Sequence, residues 1–158
     1  MKHTISVLVE NKPGVLTRIS TLFAARGYNI DSLAVGETDD PTVSRMTIVV
    51  AGDETVLEQV KKQLNKLIDI IKVSDFLSVA HLERDLILIK VKADKSVRSE
   101  ILQIVKVFRA RTVDVSTGSV IIEMTGTEQK IKALTNMLKP YGIKEMVRTG
   151  VIAMARGL

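Results

Sequence analysis

Residues 4–10 read Thr4-Ile5-Ser6-Val7-Leu8-Val9-Glu10, an alternation rich in β-branched side chains that predicts a strand covered on one face. The period changes after Asn11-Lys12-Pro13-Gly14. From there Val15, Leu16, Ile19, Leu22 and Phe23 fall at helical spacing, with Thr17, Arg18 and Ser20 turned outward. Arg26-Gly27 stops this helix, because glycine readily takes the left-handed conformation just past a helix C-terminus. Runs at 29–35 and 44–50 predict two strands joined across a polar hairpin at 37–41, and Gly52-Asp53-Glu54 closes the second. A second helix carries Val56, Leu57, Val60, Leu64 and Leu67 inward, before a last strand over 69–79.

The predicted order is β-α-β-β-α-β, the ferredoxin-like arrangement in which two helices cover one face of a four-stranded antiparallel sheet. The same order then repeats. A strand at 85–91 leads to a helix carrying Val97, Ile101, Ile104, Val105 and Phe108. A hairpin of 112–116 and 119–124 turns at Thr117-Gly118, followed by a helix over 128–138 and a final strand over 143–155. The fold class is therefore α+β, with two ferredoxin-like units and domains at 1–80 and 81–158.

Composition narrows the function classes. At 158 residues the chain has room for one good core or two small ones, and 46% hydrophobic with 26% charged residues is a globular balance. No apolar run approaches the roughly 18 residues of a membrane span, and the first residues alternate, so neither anchor nor signal peptide is expected and the cytoplasm is the expected compartment. Without cysteine there is no disulfide, thiolate metal site or cysteine nucleophile. The net charge of +5 is lopsided. Residues 1–80 hold 9 Lys+Arg against 10 Asp+Glu, and residues 81–158 hold 14 against 8. Aromatics are only 3% and Trp is absent, so the stacking platform of single-strand binders is missing and nucleic acid is not an expected partner.

No constellation suits catalysis. His3 and His81 lack a His, Cys or Asp partner at ligand spacing and read as solvated strand ends. Asp39-Asp40-Pro41 has too few oxygen ligands for a hard cation and reads as a plain turn. Gly118-Ser119-Val120 matches no phosphate-binding loop and falls at a hairpin turn, while Met124, Met137, Met146 and Met154 read as core filling.

The junction Asn11-Lys12-Pro13-Gly14-Val15-Leu16 carries more information. Gly14 permits a tight turn and close approach of a ligand, and the helix start presents unpaired N–H groups and a positive dipole end, which together receive a carboxylate well. Asn11 adds an acceptor and a donor. The loop alone equally fits a simple helix entry.

The run Val7-Leu8-Val9-Glu10-Asn11-Lys12-Pro13-Gly14-Val15-Leu16, followed by Arg26-Gly27-Tyr28-Asn29-Ile30, resembles the ACT domain, a small-molecule sensor that pairs with a second unit and binds its ligand between the two. Gly27 to Leu33, Ser44 to Val49 and a second domain of this length resemble, more narrowly, the regulatory small subunits of acetolactate synthase. That resemblance implies a non-catalytic homodimer that activates a catalytic large subunit and confers feedback inhibition by valine. Thiamine diphosphate, Mg²⁺ and FAD belong to the large subunit, and none is expected in this chain. Carried over by position, Asn11, Gly14, Val15, Leu16, Asn29 and Ile30 form the valine site, each valine shared between two chains. The second unit has Ala93-Asp94-Lys95-Ser96 where this loop belongs and lacks the site. Two other readings stay open, a free-standing ACT sensor of another amino acid and a basic nucleic-acid-binding module.

Overall fold

The computed structural model describes residues 1–157. Its elements run β1 (Lys2–Glu10), α1 (Val15–Ala25), β2 (Ile30–Glu37), β3 (Val43–Ala51), α2 (Glu54–Leu64) and β4 (Ile70–Asp75), then β5 (His81–Lys92), α3 (Arg98–Val107), β6 (Arg111–Val115), β7 (Ser119–Gly126), α4 (Glu128–Leu138), β8 (Ile143–Arg148) and β9 (Ile152–Ala155). The chain divides into two compact units, one of residues 1–82 together with the segment from Val151 onward, the other of residues 83–150.

In the first unit the strand order is β2-β3-β1-β4, all antiparallel. The period-two alternation decides which face is buried. Ile5, Val7 and Val9 of β1 and Met46, Ile48 and Val50 of β3 turn toward the helices, where Val15, Ile19 and Phe23 of α1 and Leu57, Val60 and Leu64 of α2 close over them. Leu16 does not join this core. It is 45% exposed, because a step of about 100° along the first turn carries it to the margin of the apolar stripe.

The second unit repeats the order as β6-β7-β5-β8 around Ile87, Ile89, Val91, Val120, Ile122 and Met124, with Ile101, Val105, Ile131, Leu134 and Leu138 supplied by its helices. The expected α+β architecture of two ferredoxin-like units is what the structure contains.

Four local expectations are corrected. The strand expected over 69–79 stops at Asp75, whose Oδ1 accepts the Leu77 N–H at 3.0 Å and turns the chain. The final strand expected over 143–155 is broken into β8 and β9 at Thr149-Gly150. Gly150 takes φ +89°, while the Thr149 hydroxyl donates to Asp85 Oδ1 at 3.1 Å. Beyond the break the chain groups with the first unit, where the Val151 N–H donates to the Ser32 hydroxyl at 3.0 Å and the Arg156 N–H to the Ala80 carbonyl at 2.8 Å. His3 is buried rather than solvated, since it shares the inward face of β1 with Ile5 and Val7. Of the four methionines read as core filling only Met124 is buried; Met137, Met146 and Met154 are exposed, Met137 because the buried stripe of α4 is Ile131, Leu134 and Leu138.

At the end of β4, Lys61 Nζ of α2 donates to Asp75 Oδ2 at 2.6 Å. That hydrogen bond holds the Asp75 carboxyl below its ordinary pKa against the opposing effect of burial, and it raises Lys61 above its own. A carboxylate with a depressed folded pKa adds stability that is fully present above the unfolded value of about 3.9 and is lost as pH falls through the folded one. Asp75→Asn should therefore lower stability at neutral pH by on the order of 1 kcal/mol. The gap from wild type should close as pH falls below about 4. Chemical denaturation of both chains across pH 2.5 to 7 checks this, and a gap unchanged by acid would contradict it.

Candidate functional site

The junction after β1 is held by backbone bonds to two neighbours. The Glu10 N–H donates to the Asp69 carbonyl at 2.9 Å and the Asn11 N–H to the Thr42 carbonyl at 2.8 Å. Asn11 Nδ2 donates to the Pro41 carbonyl at 2.9 Å and, longer, to Glu37 Oε1 at 3.3 Å. Because a carbonyl can only accept, these contacts fix the orientation of the amide and leave its Oδ1 as the group able to receive an ammonium. Asp40 is occupied inside the same hairpin. Its Oδ1 accepts the Thr42 hydroxyl at 2.7 Å and N–H at 2.9 Å, which together lower its pKa, in keeping with a plain turn.

Gly14 begins α1 in the left-handed region at φ +86°. The helix has no side-chain cap and no acid in its first turn. By contrast α2 is capped by Asp53 with Glu54 following, and α4 by Thr127 with Glu128 following. The first-turn N–H groups of α1 thus carry the positive dipole end with no capping side chain and no acid from their own turn. Val15 is buried in the core at 3% exposure, so only its backbone can meet a ligand, and its N–H makes a long 3.5 Å contact to the Lys12 carbonyl. Leu16, by contrast, offers an exposed apolar side chain beside the loop.

The structure does not bring Asn29 and Ile30 to this place within one chain. Glu37, at the end of β2, pairs with Ser44, next to the Asn11 loop, whereas Ile30 at its start pairs with Val50. Ser44 and Val50 are six steps apart along β3, roughly 20 Å at the rise of an extended strand. Asn29 is exposed there, its Nδ2 donating to Asp31 Oδ1 at 2.5 Å, and Ile30 packs partly against the core. The six residues therefore fall into two groups at opposite ends of the first sheet.

The second unit shows what the same loop becomes without glycine. Asp94 Oδ1 accepts both the N–H and the hydroxyl of Ser96, at 2.9 and 2.5 Å, and its pKa is lowered chiefly by that hydroxyl. A resident carboxylate thus stands at the equivalent junction and would repel a ligand's own.

Sequence reasoning missed Arg18 and Asp69. Arg18 Nε and Nη2 both reach Asp69 Oδ2 at 2.6 Å, and Asp69 is 7% exposed. The available signal was the spacing of four from Gly14, one helical turn, which sets the Arg18 side chain back over the helix entry. Nothing local marked Asp69, which lies 51 positions away in sequence.

A βαββαβ sheet whose first strand leads through an uncapped, glycine-started helix defines the ACT class of domain. The model of the AHAS small subunit-like ACT domain matches residues 5–72, and that of the small subunit of acetolactate synthase matches residues 84–157. A probable acetolactate synthase small subunit of Archaeoglobus fulgidus is 57% identical over 157 residues, covering 99% of this chain and 98% of the relative. The acetolactate synthase small subunit of Mycolicibacterium smegmatis is 54% identical over 155 residues, covering 98% and 91%. The crystal structure of the acetolactate synthase small subunit from Thermotoga maritima superposes with a TM-score of 0.90 at 42% identity, over 100% of this chain and 99% of that one. The chain belongs to the acetolactate synthase small subunit family, whose partner is the catalytic large subunit. Among the described residues no helix is long and apolar enough to cross a membrane.

A Cβ at Gly14 would lie 3.1 Å from Arg18 Nη1, whereas one at Gly27, where φ is +70°, would meet nothing within 4 Å. Both Gly27→Ala and Gly14→Ala should lose about 1 kcal/mol to left-handed strain, and Gly14→Ala more, since Arg18 must shift. Thermal unfolding of the two variants checks the difference; equal losses would mean that Arg18 yields freely.

Proposed function

We propose that this chain is a non-catalytic regulatory subunit that raises the activity of the acetolactate synthase large subunit and lowers it when valine is bound. One observation supports the site: Asn11 and Gly14 lie at one end of the first sheet, Asn29 and Ile30 at the other. In the order β2-β3-β1-β4 the outer edge of β2 carries no strand of its own sheet. A second copy pairing antiparallel along that edge sets the start of its β2 beside the end of the first, so the partner's Asn29 and Ile30 approach this chain's Asn11 and Gly14. A two-fold dimer gives two such sites.

In each site the N–H groups around Gly14 to Leu16 take the effector's carboxylate, Asn11 Oδ1 and the partner's Asn29 take its ammonium, and Leu16 and the partner's Ile30 face the isopropyl group. The first unit senses and dimerises, and the second serves contact and coupling. The large subunit supplies the thiamine diphosphate, Mg²⁺ and FAD chemistry. Valine shifts the complex only by its difference in affinity for the active and inhibited arrangements, typically about 1–3 kcal/mol.

The direct test is pyruvate turnover by the large subunit alone, by this chain alone and by the complex, with and without valine. The complex should be fastest and valine-sensitive, and the isolated chain inactive. Gly14→Asp should abolish the valine response while leaving the complex assembled, because a carboxylate at that position repels the effector's own. Turnover by the pure chain, or unchanged inhibition in the Gly14→Asp complex, would overturn the reading.

A shared site makes a sharper prediction. In a heterodimer of a Gly14→Asp chain with an Asn29→Ala chain, one interface carries both lesions and the other none. Purified heterodimers should recover half the valine sites of the wild-type dimer in calorimetry, where each mutant homodimer binds poorly. Heterodimers no better than the homodimers would place the site within one chain.

A further inference from the structure

Backbone N–H groups are not the only donors at the Gly14 loop. Arg18 stands one helical turn later, and its Nη1 is the atom that a Cβ built on Gly14 would approach, at 3.1 Å. The opposite edge of the guanidinium is occupied, since Nε and Nη2 both bond to Asp69 Oδ2 at 2.6 Å. Asp69 is itself fixed: it is 7% exposed, and its carbonyl accepts the Glu10 N–H from β1. A guanidinium carries five donors in one rigid plane, so anchoring one edge on a buried carboxylate aims the other.

We propose that Arg18 is the charged receptor for the effector's carboxylate and that Asp69 is its positioning residue. This rests on the reading of the loop as an amino-acid site and names the group that selects a free carboxylate there. A carboxylate seated at the first-turn N–H groups of α1 meets Nη1 at hydrogen-bond range while Asp69 lies on the far side of the guanidinium. Coulomb energy falls with distance, so the nearer cation outweighs the more distant anion. Arg18 is also 48% exposed along its side chain, so an entering ligand can reach it. The competing role is a purely structural one, an ion pair tying α1 to the segment before β4.

Calorimetry on the full chain with L-valine and L-valinamide separates the two roles, because valinamide keeps the ammonium and isopropyl groups and replaces the carboxylate by a neutral amide. Wild type should bind valine at least about tenfold tighter than valinamide, the usual margin of a charge-assisted hydrogen bond. Arg18→Gln should weaken valine by about the same factor and leave valinamide within about twofold, so that most of the preference disappears and only the share owed to the helix N–H groups remains. Arg18→Lys retains a cation for Asp69, and with it the fold, but has no second edge; it should lose most of the preference too. Thermal unfolding identifies the folded variants to compare. A preference preserved in either folded variant, or an equal loss for both ligands, would overturn the role of Arg18 and leave the loop reading standing. A wild-type chain that binds no valine would overturn both.

Discussion

The first unit depends on the register of β1. It is hydrogen-bonded on both sides, to β3 along all nine of its residues and to β4 from Ile5 to Val9. A slip of one residue would turn Ile5, Val7 and Val9 out of the core, so the register is strongly specified. A strand fixed in this way also fixes the point at which the chain leaves the sheet. Asn11 consequently emerges against the 37–42 hairpin, with its N–H on Thr42 and its side chain on Pro41 and Glu37. The core and the loop are set by one alternation.

That alternation is also why so much of the fold was legible. Strands and helices in this chain are amphipathic with clean periods, so their existence, order and inward faces could be read from residues a few positions apart. The failures lie where residue type alone misleads, where a short side-chain turn ends an element, or where a distant partner decides. His3 reads as polar, yet its parity on β1 places it inside. The end of β4 is set by the Asp75 carboxylate turning back onto Leu77, and the break before β9 by Thr149 reaching Asp85, 64 positions earlier. In the candidate site Gly14 and Asn11 were legible because the Asn-Lys-Pro-Gly junction between strand and helix matches the family motif, although the loop alone fitted a simple helix entry equally well. Asp69, which orients Arg18, carried no local mark.

The two units share strand order and differ in one junction, which separates what the fold does from what a site does. In the first, the helix begins at a glycine without a side-chain cap or an acid in its first turn. In the second, Asp94 turns its carboxylate onto Ser96 and Glu100 lies in the first turn of α3. The folding problem is solved either way, since both units have the same strand order and a buried core. Only the first has no acid of its own at the helix start, which is the feature the proposed carboxylate site rests on.

The proposed half-sites, some 20 Å apart on one sheet, also limit what kind of change an effector could report. A ligand enclosed by one chain would stabilise that chain's own fold. A ligand whose halves come from two copies adds its binding energy to a particular arrangement of the pair, and any motion that separates the β2 edges must first give that energy up. On this reading the signal is the geometry of the interface rather than a distortion of either core, which suits a tightly packed sheet that deforms poorly. The effector then needs only a difference in affinity between two arrangements of intact domains, and neither β1 nor the register that depends on it has to move.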